Sequence, residues 1–496
     1  MIPAFFVGAP HRCAPCPHDL KSYRHKTMQT RHSERSLRSE ESLFLFRVVL
    51  LIAISLFLSN LSPAQPKPVA LRGGKLLTVS HGTVENGVVL FENGKITAVG
   101  AAGSVQIPKD ARIIDATGMT VYPGLIDSET ALGLTEISAE DMTNDLVEPS
   151  DEIMPHMHVY DAFHAESALI PVTRLNGITN AVVAPASRDT IPGQDSFIQL
   201  DGKSQTDYLL VRDIAMPLNF TGEQRRNERG EGRKFPSTRM GLAAQMRQAF
   251  LDAQDYAQKW SDYEKKKADY DKNKTDSAAN SDSSKPADKD KDKKQPPNPP
   301  KRDLKLEALL PYLQGKKPVV LAAEESSDLQ AAVNLAREFN LKFILNHISH
   351  SQSVLDYVAS LKVPVIVGPI YEAPKPEERF DAVYSLPAQL YKRGVKIVIA
   401  SYDSHNARNL PYAAGFATGF GLPPDEALKA ITLNAAEVWG LADKLGSLDP
   451  GKTANVVVSN GDPLDVKTDV KMVFINGNEI PMTSRQTRLR DEYSAK

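Results

Sequence analysis

The sequence predicts an α/β protein: a (β/α)8 TIM barrel with a small β-sandwich formed by the N- and C-terminal segments. Two observations carry this prediction. Between residues 123 and 443, short apolar runs alternate with stretches of helical periodicity, a pattern typical of parallel βα units. At both ends of the chain, in 65–122 and 444–485, glycines interrupt short β-like runs. We therefore expect a barrel whose two flanks come together in one small β-rich unit.

The β-rich flanks carry a turn signal of their own. Glu92-Asn93-Gly94 separates two apolar runs, which predicts a hairpin because asparagine and glycine tolerate the positive φ of a tight turn. Residues 445–480 have the same alternation of apolar runs and glycines. The segments 65–122 and 444–485 are expected to form one composite β-sandwich.

The central region supplies the elements of the predicted barrel. Candidate strands lie at 120–127, 177–185, 318–323, 342–347, 363–369 and 395–403, with helices at 328–339, 351–361, 386–393 and 425–439. Residues 262–303 are rich in Lys, Asp, Ser and Pro and predict a disordered insertion. Without that insertion the region has about 280 residues, near the roughly 250 of a (β/α)8 barrel, although a doubly wound sheet would show the same alternation.

The N-terminal segment 1–64 predicts a signal peptide. The apolar run Val48–Leu58 follows Arg47, and small residues precede a cleavage site after Ala64. The stretch before the run is unusually long, and Met28 is an alternative start. The protein is expected to be exported, either periplasmic or secreted, or to be anchored in the membrane by an uncleaved apolar run. The His and Cys residues at 11–18 mimic a zinc site but lie in the segment to be removed.

Charge and motif context exclude two classes of partner. The net charge of −2 gives no basic excess that would favour nucleic acid. The stretch 446–453 matches a phosphate-binding loop in its letters, but a helix precedes it and a strand follows, the reverse of the required order. We therefore expect a small-molecule substrate and no nucleotide. The oligomeric state is not indicated by the sequence.

Polar residues close two of the predicted barrel strands. Asn346-His347 ends one of them, and Asp403 ends another, followed by Ser404-His405-Asn406. Barrel enzymes place their chemistry at the carboxyl ends of the strands. A histidine and an aspartate from different strands can share a metal ion, or one can ligate while the other moves protons.

Several motifs resemble the amidohydrolase superfamily, in particular secreted imidazolonepropionase-like amidohydrolases. They occur in the family's order and spacing over most of 68–485, at 94–100, 114–118, 123–127, 403–405, 430–436 and 445–452. The resemblance implies hydrolysis of non-peptide carbon–nitrogen bonds in cyclic or linear amides. It also implies that Asp403 takes a proton from the attacking water and passes it to the leaving nitrogen.

The family's metal ligands are largely missing from this chain. By the resemblance, the histidine pair after the first strand falls on Ser128 and Thr130, and the fifth-strand histidine falls on Ala322. The fourth strand, in 214–219, has no lysine to bridge two metals. His347 on the sixth strand and Asp403 on the eighth remain.

A single zinc or other divalent ion would have His347, Asp403 and Glu324 as its ligands, and a binuclear centre is not expected. A metal-free site, in which His347 polarises the carbonyl, stays open. A second His-x-His at 156–158 lies in a polar loop and is not expected to ligate. Residues expected to contact substrate are Ser404, His405, Asn406 and His350. The alternative function is a catalytically degenerate barrel that binds a ligand without turning it over.

Overall fold

The computed structural model describes residues 67–221, 235–279, 295–349, 351–374, 376 and 378–494. The predicted signal segment 1–64, His350, and residues 280–294 of the predicted insertion lie outside these ranges. Among the described residues, no helix combines the length and the apolar character needed to cross a bilayer.

The described residues form strands in two groups, one at the ends of the chain and one in its centre. The strands are β1 (Val69–Leu77), β2 (Thr83–Glu92), β3 (Lys95–Ala101), β4 (Arg112–Asp115), β5 (Thr120–Pro123), β6 (Leu125–Thr130), β7 (Ile178–Val183), β8 (Asp195–Gln199), β9 (Leu209–Asn219), β10 (Val319–Ala322), β11 (Phe343–Asn346), β12 (Val365–Val367), β13 (Ile397–Ile399), β14 (Val456–Ser459), β15 (Val470–Ile475) and β16 (Asn478–Glu479).

The helices mostly connect the central strands. They are α1 (Val159–Ala162), α2 (Leu169–Arg174), α3 (Gln205–Tyr208), α4 (Arg239–Ala279), α5 (Leu304–Leu313), α6 (Ser326–Glu338), α7 (Gln352–Leu361), α8 (Ala382–Lys392), α9 (Leu410–Gly419), α10 (Pro424–Ala430), α11 (Leu433–Val438) and α12 (Arg485–Ser494). Short 3-10 helices lie at Asp141–Thr143 and Asn406–Asn409.

The two ends of the chain share one eight-stranded sheet, as the sequence predicted. Its order is β16-β15-β14-β5-β1-β2-β3, with β4 paired to β1. The predicted hairpin joins β2 to β3, and Asn93 and Gly94 have φ of 50° and 75°. The rings of Phe91 and Phe474 pack 5.1 Å apart inside this unit. The N- and C-terminal segments thus bury a common core.

The central strands form a second eight-stranded sheet, in the order β13-β12-β11-β10-β9-β8-β7-β6. One buried residue from each strand contributes to a shared interior cluster: Ile126, Val182, Phe197, Ala215, Val320, Ile344, Ile366 and Val398. At the open side of the ring, the Tyr402 N–H donates to the Glu129 carbonyl at 2.9 Å. The predicted barrel architecture is therefore confirmed.

One strand departs from the predicted parallel arrangement. β8 runs antiparallel to both β7 and β9. Only residues 184–194 connect β7 to β8. A parallel crossover needs a dozen or more residues, usually with a helix, so this short connection reverses the chain instead. The sequence pattern missed β8, whereas the fourth strand expected in 214–219 lies within β9.

The predicted strand 120–127 is divided between the two sheets at Gly124. β5 ends at Pro123 and pairs with β14, whereas β6 begins at Leu125 and pairs with β7. A Cβ atom at Gly124 would lie 2.2 Å from the Thr179 hydroxyl oxygen, well inside contact distance. Glycine is required here because the chain passes directly over Thr179 as it moves from one sheet to the other.

The predicted disorder of 262–303 is wrong for its first part, because α4 continues through 262–279. Leu242, Met246, Phe250 and Ala253 are buried on one face of the first half of this helix. Helix formation is costly to start and easier to extend, so a packed first half supports a charged continuation in solvent. The side-chain hydrogen bond from Gln258 to Asp262, at 2.8 Å, spans one turn across the boundary.

The predicted helix 425–439 is two helices, α10 and α11. The Ile431 carbonyl, between them, accepts a hydrogen bond from the Ile126 N–H of β6 at 2.8 Å. Thr432, the next residue, has φ of −140° and ψ of −96°, outside the helical region, so the helix is interrupted here. The false phosphate loop is a turn before β14, in which the Lys452 amine donates to the Ser447 hydroxyl at 2.5 Å and the Leu445 carbonyl at 3.2 Å.

Candidate active site

A cavity of about 660 Å³ opens at the carboxyl ends of the barrel strands. Its wall is formed by the segments after β10, β11, β12 and β13 and by the β7–β8 loop. The polar side chains that matter for chemistry there are Ser187, Glu324, His347, Tyr402, Asp403 and Asn406. The structure therefore brings together four of the predicted site residues, Glu324, His347, Asp403 and Asn406, where barrel enzymes hold their active sites.

His347 follows β11 directly and has a left-handed backbone, with φ of 55°. Its ring lies 4.8 Å from the ring of Tyr402, and its Nε2 atom is 3.4 Å from the Ser187 hydroxyl oxygen. Burial lowers the pKa of His347 to about 4, although the negative charge of Glu324 opposes this shift. His347 is therefore a neutral imidazole at pH 7.

Asn346 connects three segments around the mouth of the barrel. Its side-chain amide donates to the Glu129 carboxylate at 2.6 Å. Its carbonyl oxygen accepts from the Tyr402 hydroxyl and from the backbone N–H of His347, the latter at 2.8 Å. Tyr402, like His347, has a left-handed backbone, with φ of 57°. Non-glycine residues in this conformation need support from their surroundings, which this network supplies.

The acidic side chain that enters the barrel mouth from β6 is Glu129, which the sequence analysis did not select. Ser128 is fully buried and its hydroxyl has no hydrogen-bond partner among the described residues, while Thr130 donates to the Asp403 carbonyl at 2.7 Å. The pairing of β6 with β7 shifts register between Asp127 and Thr130. Such an irregularity changes the direction of a side chain. An acidic residue at the end of an apolar strand was the only signal in the sequence.

Among the described residues, three carboxyl groups on the barrel strands have raised pKa values. Burial raises the pKa of Asp127 to about 7, against hydrogen bonds from Ser401. Burial also raises the pKa of Glu129 to about 8, with the neighbouring charge of Asp127 adding to the effect. Burial and the charge of Glu129 hold the pKa of Asp195 well above its usual range. Much of the negative charge that the sequence suggests is therefore absent at neutral pH.

Asp403 lines the cavity, and its carboxylate also stabilises the turn that follows it. Its carboxylate accepts hydrogen bonds from the backbone N–H groups of His405 and Asn406, at 2.6 and 3.0 Å, and from the Asn406 side chain at 3.0 Å. Of the three residues expected to contact substrate here, Asn406 lines the cavity. Ser404 is buried and contacts the His405 ring at 3.2 Å, while His405 is exposed. The fourth, His350, lies outside the described residues.

The residues present do not fit the metal ion that the resemblance implies. His347, Asp403 and Glu324 share a cavity, but in the part of the chain that the structure describes no three His, Cys, Asp or Glu side chains group closely enough to hold an ion. The Asp403 carboxylate also has three N–H donors on it already. The His-x-His at 156–158 is not a substitute, since the His158 ring pairs with Asp213 at 2.7 Å.

The raised pKa of Glu129 predicts a pH-dependent stability. The unfolded chain loses this proton near pH 4.5, while the folded protein keeps it to about pH 8, so the free energy of unfolding falls as pH rises between these values. Glu129→Gln retains an acceptor for Asn346 and removes the titration. We expect the free energy of unfolding of this variant, measured with urea between pH 5 and 8, to fall less steeply with pH than that of the wild type. The difference in slope should be about 1.4 kcal/mol per pH unit.

Glu85→Gln is the matched control, because Glu85 is an exposed residue of the other sheet whose carboxylate lies 3.7 Å from the Lys75 amine. It should leave the slope unchanged. An unaltered slope in Glu129→Gln would show that this carboxyl group is ionised in the folded protein.

Comparison with known proteins agrees with this architecture. The amidohydrolase family model matches residues 331–480. The amidohydrolase tasK of Hapsidospora irregularis is 25% identical over 411 residues, which cover 79% of this chain and 39% of that protein. An imidazolonepropionase of Thermoplasma volcanium is 37% identical over 106 residues, which cover 19% of this chain and 26% of that protein. This chain thus aligns with well under half of the length of either relative.

A solved structure extends the likeness over most of the described chain. The amidohydrolase from Thermotoga maritima MSB8 matches with a TM-score of 0.70 at 26% identity, over 84% of this chain and 100% of that one. The family match over 331–480, these relatives and the solved structure show that the chain is similar to amidohydrolases in sequence and in fold.

Proposed function

We propose that this chain hydrolyses a carbon–nitrogen bond other than a peptide bond, in a cyclic or linear amide of a small molecule. Similarity to amidohydrolases in sequence and in fold supports hydrolysis as the class of reaction. A cavity of about 660 Å³ suits a small molecule. The observation that carries the proposal is His347, a neutral imidazole on the cavity wall at the carboxyl end of β11.

In this proposal His347 performs the proton transfers. Its imidazole takes the proton from the attacking O–H group and returns it to the leaving nitrogen, which must be protonated to depart as an amine. Glu324, on the same wall, stabilises the imidazolium that forms between these two transfers. Asp403 is the second candidate for this work, since its carboxylate also lines the cavity.

The superfamily typically uses divalent metal ions, which lower the pKa of a bound water. Because the donors of this chain do not group as a metal site among the described residues, no step of the proposal passes through an ion. The same departure favours the second candidate function, a barrel that binds a small molecule without turning it over. The two candidates differ in one outcome, the release of an amine.

A panel of lactams, cyclic imides and N-acetylated amines tests the proposal with the full chain. We expect amine release from at least one member, and a kcat lower by about 100-fold or more in His347→Gln, since a general base contributes that much. The kcat of Asp403→Asn measures how much Asp403 contributes to the proton transfers. His164→Gln, a change at an exposed histidine outside the cavity, is the matched control and should keep wild-type kcat.

Two results would contradict the proposal. Equal turnover in wild type and His347→Gln would remove His347 from the reaction. Binding of a panel member by calorimetry with no amine released from any of them would instead establish the ligand-binding alternative.

We also propose that the chain is exported, as a periplasmic or secreted protein. The support comes from the sequence alone, in the apolar run Val48–Leu58 and the small residues that end at Ala64. N-terminal sequencing of the protein recovered outside the cytoplasm should begin at Gln65. Recovery of a chain that still contains 48–58 in the membrane fraction would establish the anchored alternative.

A further inference from the structure

The Ser187 hydroxyl lies beside the His347 imidazole. It lies in the β7–β8 loop, and its Oγ atom is 3.4 Å from the His347 Nε2 atom. Both side chains line the same cavity, and both are partly buried. Pairs of this kind are commonly looser without substrate than the 2.6–3.2 Å of a formed nucleophile–base contact.

Two hydrogen bonds hold the backbone that precedes Ser187. The Ala184 N–H donates to the Thr130 carbonyl at 3.1 Å, and the Ala186 N–H donates to the Leu146 carbonyl at 3.0 Å. Arg188 N–H donates back to the Ala186 carbonyl at 2.8 Å, which closes a turn around Ser187. The hydroxyl is therefore presented by a held loop, as a nucleophile needs to be.

The third group of the arrangement is Glu324. It lines the same cavity after β10, and its backbone carbonyl accepts a hydrogen bond at 2.9 Å from the N–H of Ser349, two residues after His347. A hydroxyl, an imidazole and a carboxylate in this order are the parts of a serine-nucleophile site, which unrelated folds have assembled repeatedly. No metal ion is needed to activate the oxygen in such a site.

We propose that Ser187 is a covalent nucleophile, with His347 as its base and Glu324 as the group that stabilises the charged imidazole. This inference rests on the proposed hydrolysis and specifies its attacking oxygen. The Ser187 hydroxyl, on the β7–β8 loop, then provides the attacking oxygen that a metal-bound water would otherwise provide.

The reaction has two balanced halves. In the first, Ser187 Oγ bonds to the amide carbon and its proton goes to His347 Nε2. The carbon–nitrogen bond then breaks, and the nitrogen leaves with that proton as an amine. In the second, water attacks the resulting ester and gives a proton to His347. The ester bond breaks, Ser187 Oγ recovers the proton, and a carboxylic acid is released.

Covalent labelling tests this inference without a known substrate. The full chain is incubated with p-nitrophenyl acetate or with a fluorophosphonate, in the presence of EDTA, and followed by intact-mass spectrometry and peptide mapping. We expect one acyl or phosphonyl group on Ser187 in the wild type and none in Ser187→Ala. His347→Gln should label about 100-fold more slowly.

Two further variants control for folding and for non-specific reaction. Ser349→Ala removes another serine of the same wall, whose hydroxyl contacts Ser351 at 3.4 Å and not an imidazole, and should keep the label. Ser187→Cys keeps a nucleophile in place and should regain acylation as a thioester.

The outcomes separate this inference from the proposed function. Absence of label in the wild type, a label on another residue, or an equal label in Ser187→Ala would overturn the inference. Amide hydrolysis that persists in Ser187→Ala would also overturn it and leave the proposed function standing. Labelling of Ser187 in a protein that releases no amine would support the nucleophile and contradict the proposed function.

Discussion

The side-chain amide of Asn346 is the contact on which the candidate site depends. It spans the barrel mouth, donating to Glu129 from β6 and accepting from Tyr402, which follows β13. The last barrel strand is closed onto the first through the Tyr402 N–H and the Glu129 carbonyl, so the same residues complete the ring. Without these bonds, the left-handed backbone at Tyr402 and at His347 would lack the support that such conformations require.

This network sets the chemistry of the cavity through its effect on His347. The backbone N–H of His347 donates to Asn346, which holds the imidazole beside Tyr402 and toward Ser187. Burial raises the pKa of Asp127 to about 7 and that of Glu129 to about 8, so Glu129 is mostly protonated at neutral pH. A neutral imidazole therefore lies next to the Ser187 hydroxyl and shares the cavity with Glu324. In the proposed reaction, this imidazole moves the protons that a metal-bound water would otherwise supply.

Much of the fold followed from the sequence because it depends on local pattern. The runs around 319–322 and 343–346 are short, apolar and bounded by polar residues, and the strand-end position of His347 was visible there. Glu129 was missed because its partner Asn346 lies 217 positions away and a register shift in β6 turns its side chain inward. β8 was missed because five mixed residues carry no clear period. The helix through 262–279 was missed because its support comes from the packed half before it.

Titration of the His347 ring by NMR tests the central claim most directly. The account predicts that the His347 imidazole in the folded wild-type chain stays neutral on acidification until about pH 4. In Asn346→Ala, which removes the bonds to Glu129 and Tyr402, the pKa of His347 should move toward the 6.5 of an exposed histidine. A wild-type pKa near 6.5, unchanged in Asn346→Ala, would show that the network does not control the imidazole and would contradict the account.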